Sequence, residues 1–529
     1  MLNKKTSPVN LAGIKELGIE NWLESYYIPV TGKEYYKIYK NIYFAYLSVL
    51  KKYDDEIVYW IAISNIKIPH YVSRYILELL RLNRLKDKGY DYIVGQKKGG
   101  NPEDISTYEY TDHSNMDLID KRICELTPQE RAKNILRTIK YNISPGHLIN
   151  KNFLKNISNP YYFMGDRTQQ EVVSFCRENK IAPIHLSPML FAKNIPVKTN
   201  NDSQYAEMME FIMEFLNLVR KQHPIIDNSI FELLRKNIEE CFRYSLFFFR
   251  QNIRVFVKHK SKNLLAAGLG VQIHRLFCSA WRYTGGRVIG FSHGGSYSHC
   301  YSPRNFYDQS IVDQYIVPSK GNEEILKQSA KDFFPDFKTS DIVHLKNNIY
   351  KPLFGRLQSD PPVNEIKKIM VVGAVVMDYF AINTEYHTFS FLYNDIQLIN
   401  TLKKAGYNTI YKPHPDTMYE TYDIFEKYAD DVLAEKFEDV YNNADCMVFS
   451  SPYSTAFGFS MLSNKPIVLI NVEGYLWYPR AFELIKKRCS VVEAEAIDGR
   501  IQFDGNEVLS AVEASIKNIN YDILHEFAF

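Results

Sequence analysis

The sequence is poor in the features that mark several large protein classes. It has no long hydrophobic run: stretches such as Ile369 to Val376 fall far below the ~20 apolar residues needed to span a bilayer. Its seven cysteines, Cys124, Cys176, Cys241, Cys278, Cys300, Cys446 and Cys489, are scattered without a CxxC pair. An odd, dispersed set argues against a disulfide framework and a structural zinc site. Charge of one sign is also lacking. A formal net charge of +3 over 529 residues gives no reason to expect a nucleic-acid partner. The stretch Met1 to Asn10 carries Lys4 and Lys5 with no apolar segment after it, so a reduced, cytoplasmic protein is expected.

Aromatic residues are abundant, at 14% with 39 Tyr and 32 Phe. Such rings suit sugar faces, although core packing explains any single one equally well. The length implies more than one core.

The C-terminal third is the most legible. Ile366 to Val372 reads as a strand closing at Gly373, followed by a helix over Phe391 to Lys404 and a strand over Asn408 to Tyr411. A helix near Tyr419 to Tyr428, a short strand around Val432 and a helix around Phe437 to Asn443 come next. Strands at Cys446 to Phe449 and Pro466 to Val472 then bracket a helix over Ala456 to Leu462. This alternation predicts a parallel sheet covered on both faces, with ligands at the strands' carboxyl ends. The middle repeats it: strands at Lys262 to Gly268, Arg287 to Phe291 and Gln314 to Val317, with helices from Val271 and Glu323. The expected fold class is therefore α/β, with two Rossmann-like domains facing a cleft and a helical insertion or extension in the N-terminal half. The boundaries are 1–356 and 363–529, joined at Leu357 to Pro362. Before Leu233, helices are expected at Tyr35 to Lys52, Ile66 to Leu85 and Met208 to Val219.

Three polar segments stand at predicted strand ends. In Lys412-Pro413-His414-Pro415, two prolines fix the backbone on either side of an imidazole. Lys412 and His414 can both contact a phosphate; a rigid turn with an incidental histidine is the plainer alternative. Ser450-Ser451-Pro452-Tyr453-Ser454-Thr455 precedes an apolar helix whose free N–H groups and dipole form a natural anion site. Simple capping would need only one of its hydroxyls. In Ser292-His293-Gly294-Gly295-Ser296-Tyr297, Gly294 and Gly295 allow close backbone approach to a ligand. His293 is a candidate general base or second phosphate contact; a glycine turn with a buried histidine is the alternative.

Lys320 is a weaker candidate for neutralising leaving-group charge, and Glu473 for binding ribose hydroxyls. His299, Arg304, Glu438 and Asp439 rank lower still. No metal-ligand spacing is visible, so no metal and no cofactor are expected, with protein cations and helix dipoles acting on the phosphate. Finally, Leu233 to Lys262 mixes eight Lys and Arg with Phe242, Leu246, Phe247, Phe248, Phe249 and Phe256. Basic residues among exposed aromatics would suit peripheral contact with an anionic inner-membrane surface; a buried helix with snorkelling cations fits as well.

The order of these motifs resembles bacterial GT-B glycosyltransferases of capsule and lipopolysaccharide synthesis. One related group uses CMP-activated Kdo or sialic-acid-like sugars, and another is the CDP-glycerol polymerases. Nearest in arrangement is a transferase family of surface-carbohydrate gene clusters with a HGGxYG-like motif, matched here by His293 to Tyr297 and, in the N-terminal helices, by Tyr59-Trp60. The resemblance covers the part from about Lys262 onward. It implies that His414 and the Ser454/Thr455 pair hold donor phosphate and that His293 lies at the catalytic cleft. Ser298 stands where that family tends to have Gly, and the acidic motif that supplies the sialyltransferase base has no counterpart. The implied activity is sugar transfer from a nucleotide donor to a surface glycan or lipid-linked acceptor. A CDP-glycerol-type glycerophosphotransferase, a nucleotide-sugar epimerase and a non-catalytic sugar-nucleotide-binding protein are the alternatives.

Overall fold

The computed structural model describes residues 5–53, 56–94, 161–166, 169–186, 203–256, 262–292, 306–374, 376, 387–473 and 475–529. Its strands are β1 (Thr6–Pro8), β2 (Asp91–Ile93), β3 (Tyr161–Met164), β4 (Ile184–His185), β5 (Asn263–Ala266), β6 (Arg287–Phe291), β7 (Gln314–Val317) and β8 (Asp341–His344). Then come β9 (Lys368–Val372), β10 (Asn408–Lys412), β11 (Asp431–Val432), β12 (Cys446–Phe449), β13 (Ile467–Val472), β14 (Ser490–Ile497) and β15 (Arg500–Gln502).

Two parallel sheets organise these strands. The first runs β4-β3-β5-β6-β7-β8. The second runs β11-β10-β9-β12-β13-β14, with β15 added antiparallel at its edge. Numbered within its own sheet, the second has the order 3-2-1-4-5-6 of a doubly wound dinucleotide-type fold, and its order reverses between β9 and β12. Both faces are covered, because alternate residues point to opposite sides. Ile369, Val371 and Val448 enter one core with Leu392, Ile396 and Ile399 of the helix Thr388–Lys404. Met370, Val372 and Phe449 enter another with Phe457 and Ile485. The two-unit α/β architecture expected from the sequence is present.

A helical layer covers one face of the first sheet. Thr31 and Glu34 form a reciprocal capping box at the start of the helix Gly32–Leu50, which fixes where it begins. Its buried side carries Tyr35, Tyr39, Tyr43 and Tyr46 at near-helical spacing. The basic, aromatic stretch forms one helix, Asn228–Phe256. Its Phe242, Leu246, Phe248, Phe249 and Phe256 are buried, with Phe256 against Phe277 and Trp281 at 4.6 and 4.9 Å between ring centres. Among the described residues of that stretch the phenylalanines are buried, or half-buried at Phe247, against neighbouring helices. Among the described residues no helix is long and apolar enough to cross a membrane.

The chain ends cross between the two halves. Leu11, Ile14, Ile19, Trp22, Tyr26 and Ile28 join the core of the second sheet, although the sequence boundaries put them with the first. Tyr26 stacks on Tyr393 at 4.1 Å and its hydroxyl donates to Ser390 Oγ at 2.9 Å. At the other end, the helix Asp522–Phe527 lies against Gly321, and the Ser319 hydroxyl donates to the Phe527 carbonyl. The expected linker is anchored too: the Asp360 carboxylate accepts from Tyr441 Oη at 2.6 Å.

Candidate functional site: the strand-tip loops of the second sheet

β9 is the central strand at the switch point, flanked by β10 and β12. Lys412 and Phe449 both pair with Val372, so the loops that follow leave the sheet at one level. Two inter-strand spacings, about 9.6 Å, separate their origins. Lys412–Pro415 and Ser450–Thr455 thus leave the sheet from the two strands that flank β9.

The individual side chains differ in what they offer. His414 is half-buried and its carbonyl accepts the Thr417 N–H at 3.1 Å, which starts the short helical turn Pro415–Thr417. Lys412 does not extend as an exposed point charge. It is buried, and its Nζ donates to the Pro413 carbonyl at 3.0 Å. Burial lowers its pKa, against the opposing pull of Glu435 and Glu438.

In the second loop the four hydroxyls divide. Ser450 is fully buried and donates to Asp395 Oδ1 at 2.7 Å. Ser451 is buried too, its Oγ accepting the Tyr453 N–H at 3.4 Å. These two side chains shape the loop rather than face a ligand. Ser454 is the N-cap of the helix Thr455–Leu462, its Oγ accepting the Phe457 N–H at 3.1 Å. Thr455 is exposed at the first helical position. The dipole end of that helix lies at the same edge of the sheet as the His414 loop.

Other candidates lie elsewhere. Glu473 follows β13 on the same edge of the sheet and pairs with Lys33 of the helix Gly32–Leu50. Lys320 does not join the group: it is exposed in the first half, with Glu324 at 3.8 Å. His293, Gly294 and Gly295, with His299 and Arg304, lie outside the described residues. Among the described residues no cluster of His, Cys, Asp and Glu could hold a metal ion.

Three features beneath and beside the loops escape sequence reasoning. Asp395, on the helix after β9, accepts from Ser450 and, at 3.1 Å, from Tyr411 Oη of β10. Burial pushes its carboxyl up to about 7, against the lowering effect of those two hydroxyls. One signal was available: Asp395 sits within the apolar stripe Leu392, Ile396 and Ile399, where a carboxylate is out of place. The second feature is His387, which caps that helix by accepting the Phe389 N–H at Nδ1, 3.2 Å. Its Nε2 faces Glu78 Oε2 at 3.6 Å. An accepting Nδ1 leaves the proton on Nε2, directed at the carboxylate. Glu78 is also held by the buried Arg81. Burial alone would raise its pKa; Arg81 and His387 outweigh that and bring it to about 2. The helix end where a dinucleotide fold places phosphate thus faces a carboxylate of the protein itself. Third, a cavity of about 520 Å³ opens beside the Ser450 loop, lined by Tyr475, Trp477 and Phe482 among others. Tyr475 ties it to that loop by donating to the Ser450 carbonyl at 3.1 Å.

The fold defines a doubly wound α/β protein, with two polar loops at the carboxyl-end strand tips of its second sheet. No family model matches the chain, and no curated protein matches it. Among solved structures it is similar to the UDP-GlcNAc 2-epimerase of Methanocaldococcus jannaschii, in complex with UDP-GlcNAc and UDP. That match has a TM-score of 0.36 and 12% identity, covering 68% of this chain and 92% of the other. It is also similar to KpsC of Thermosulfurimonas dismutans, a beta Kdo 2,7 transferase, with a TM-score of 0.21 and 16% identity. There the coverage is 50% of this chain and 80% of the other.

Proposed function

We propose that this protein is a glycosyltransferase, moving a sugar from a nucleotide-activated donor to a surface glycan or lipid-linked acceptor. The donor in this reading is CMP-linked, carrying Kdo or a nonulosonic acid, as the motif order suggests. One observation supports the reading: Lys412 and Phe449 stand level on either side of β9, so the His414 loop and the Ser454 loop leave the same edge of the sheet, and in this reading they hold one phosphate between them. His414 donates to the phosphate. The N–H groups of Thr455 and its successors, with the helix dipole, stabilise its charge as it departs. Lys412, beneath them, holds the Pro413 turn and adds positive charge. His293 is assigned to the acceptor hydroxyl as general base. No metal or cofactor is required in this scheme.

The test begins with thermal stabilisation by CMP, CDP, UDP and GDP, since a ligand of the native state raises its melting temperature. Calorimetry on His414→Ala with the best binder follows. A loss of at least tenfold in affinity with an unchanged fold supports the pocket; unchanged affinity refutes it. Turnover of a nucleotide sugar with no acceptor present would assign the protein to the epimerases instead.

A further inference from the structure

Asp395, on the helix Thr388–Lys404, is fully buried against the ends of the two strands that carry the loops. Its carboxylate accepts Ser450 Oγ–H at 2.7 Å from the end of β12 and Tyr411 Oη–H at 3.1 Å from β10. It therefore spans the strand between them, and the chain just after β9 makes room: a side chain at Gly373 would collide with the Tyr411 hydroxyl. The groups that bear on Asp395 are these two hydroxyls, and no described cation pairs with it. A buried carboxylate with two neutral donors and no counter-charge is poorly compensated when ionised.

We infer that Asp395 is a positioning residue of the proposed anion site, bracing the ends of β10 and β12 from which its two loops leave and taking up a proton when an anionic ligand binds. This rests on the pocket proposed above. The reasoning is electrostatic. Ser450, which Asp395 holds, lies four residues before the Ser454 N-cap. For a phosphate held at that helix end, a separation of roughly 10 Å from the carboxylate would let like charges shift an equilibrium about tenfold. The ligand therefore favours the protonated acid. With the carboxyl already raised to about 7 by burial, ligand arrival converts a half-ionised group into a neutral one. The proton comes from solvent and leaves with the ligand.

The experiment is calorimetry with CMP-N-acetylneuraminate and with UDP-GlcNAc, phosphodiesters whose own charge stays constant from about pH 6 to about pH 8. Each titration is run in two buffers of different ionisation enthalpy, on wild type, Asp395→Asn and His414→Ala. The expected result is that wild type takes up about half a proton more per ligand than Asp395→Asn at about pH 7. Its affinity also falls about fivefold more than that of Asp395→Asn across that range. Any contribution from His414 is common to both proteins and cancels. Equal proton uptake in wild type and Asp395→Asn, with His414→Ala weakened, overturns this inference alone. Wild type binding neither probe, or His414→Ala binding like wild type, removes the pocket itself. Should Asp395→Asn fail to fold, Tyr411→Phe and Ser450→Ala each remove one donor to the ionised form. The affinity profile then moves to higher pH; an unmoved profile overturns the inference.

Discussion

Gly373 leaves the space that the Tyr411 hydroxyl fills: a methyl group at position 373 would overlap it. Tyr411 in turn reaches Asp395, so one missing side chain just after β9 leaves room for the hydrogen bond that joins β10 to the helix behind it. Gly373→Ala is expected to destabilise the protein by about 1–3 kcal/mol through overpacking. Adding Tyr411→Phe removes the colliding oxygen, so the double variant should cost less than the sum of the single ones. Urea denaturation of all four proteins measures this; strict additivity would show that the two positions do not touch.

Ser454 allows capping to be separated from anion binding. Ser454→Ala should cost about 1 kcal/mol of stability, because the Phe457 N–H loses its side-chain acceptor and keeps only the Ser454 carbonyl. Ser454→Asp keeps an equally good cap but brings a negative charge to the pocket. Its melting temperature should stay near wild type while nucleotide affinity drops at least tenfold. Full affinity in Ser454→Asp would place the anion elsewhere.

The pair of Glu78 and His387 gives an acid-side prediction. The folded-state pKa of Glu78 is depressed to about 2 from the ordinary 4.5. Its contribution is therefore present above about pH 4.5 and lost as pH falls through about 2. Glu78→Gln should flatten that acid limb in a plot of urea midpoint against pH. At neutral pH it should cost about 3–5 kcal/mol, since the buried Arg81 loses the charge of its carboxylate. An unchanged acid limb would refute the assignment.

Arg488 is fully buried and donates to the carbonyls of Ser460, Met461, Ser463 and Lys465. It closes the far end of the helix whose near end is capped by Ser454. Arg488→Met should cost about 2–5 kcal/mol, the penalty for leaving several buried carbonyls unpaired. Arg488→Lys should recover little, because an ammonium cannot reproduce the planar fork. Recovery of full stability by lysine would show that charge alone matters there.

The legibility of this fold in its sequence followed burial. Strands β9, β12 and β13 are covered on both faces and read as short apolar runs at Lys368–Val372, Cys446–Phe449 and Ile467–Val472. Each matched its expected span to within two residues. β3 and β4 went unread, because β5 resumes the first sheet only after the long helices Ser203–Gln222 and Asn228–Phe256 intervene. For the latter helix, composition showed basic and aromatic residues together. Which of them face inward depends on its neighbours, and the phenylalanines turned out to be packed. At the site, the polar loops were visible as segments, but the division of labour within them was not. Ser450 and Thr455 are the same kind of residue in sequence. Only the approach of Asp395 from another element makes one a strut and leaves the other open.

The crossing of the chain ends has a consequence for dissection. Trp22 sits edge-on to Phe389 and Tyr393, so a fragment starting at residue 363 would carry an empty aromatic socket, exposed and prone to self-association. A peptide spanning residues 6–28, supplied separately, should plug that socket and restore solubility. The two halves are laced at both ends, like a belt fastened with two buckles, and severing the strap between them would not set either one free.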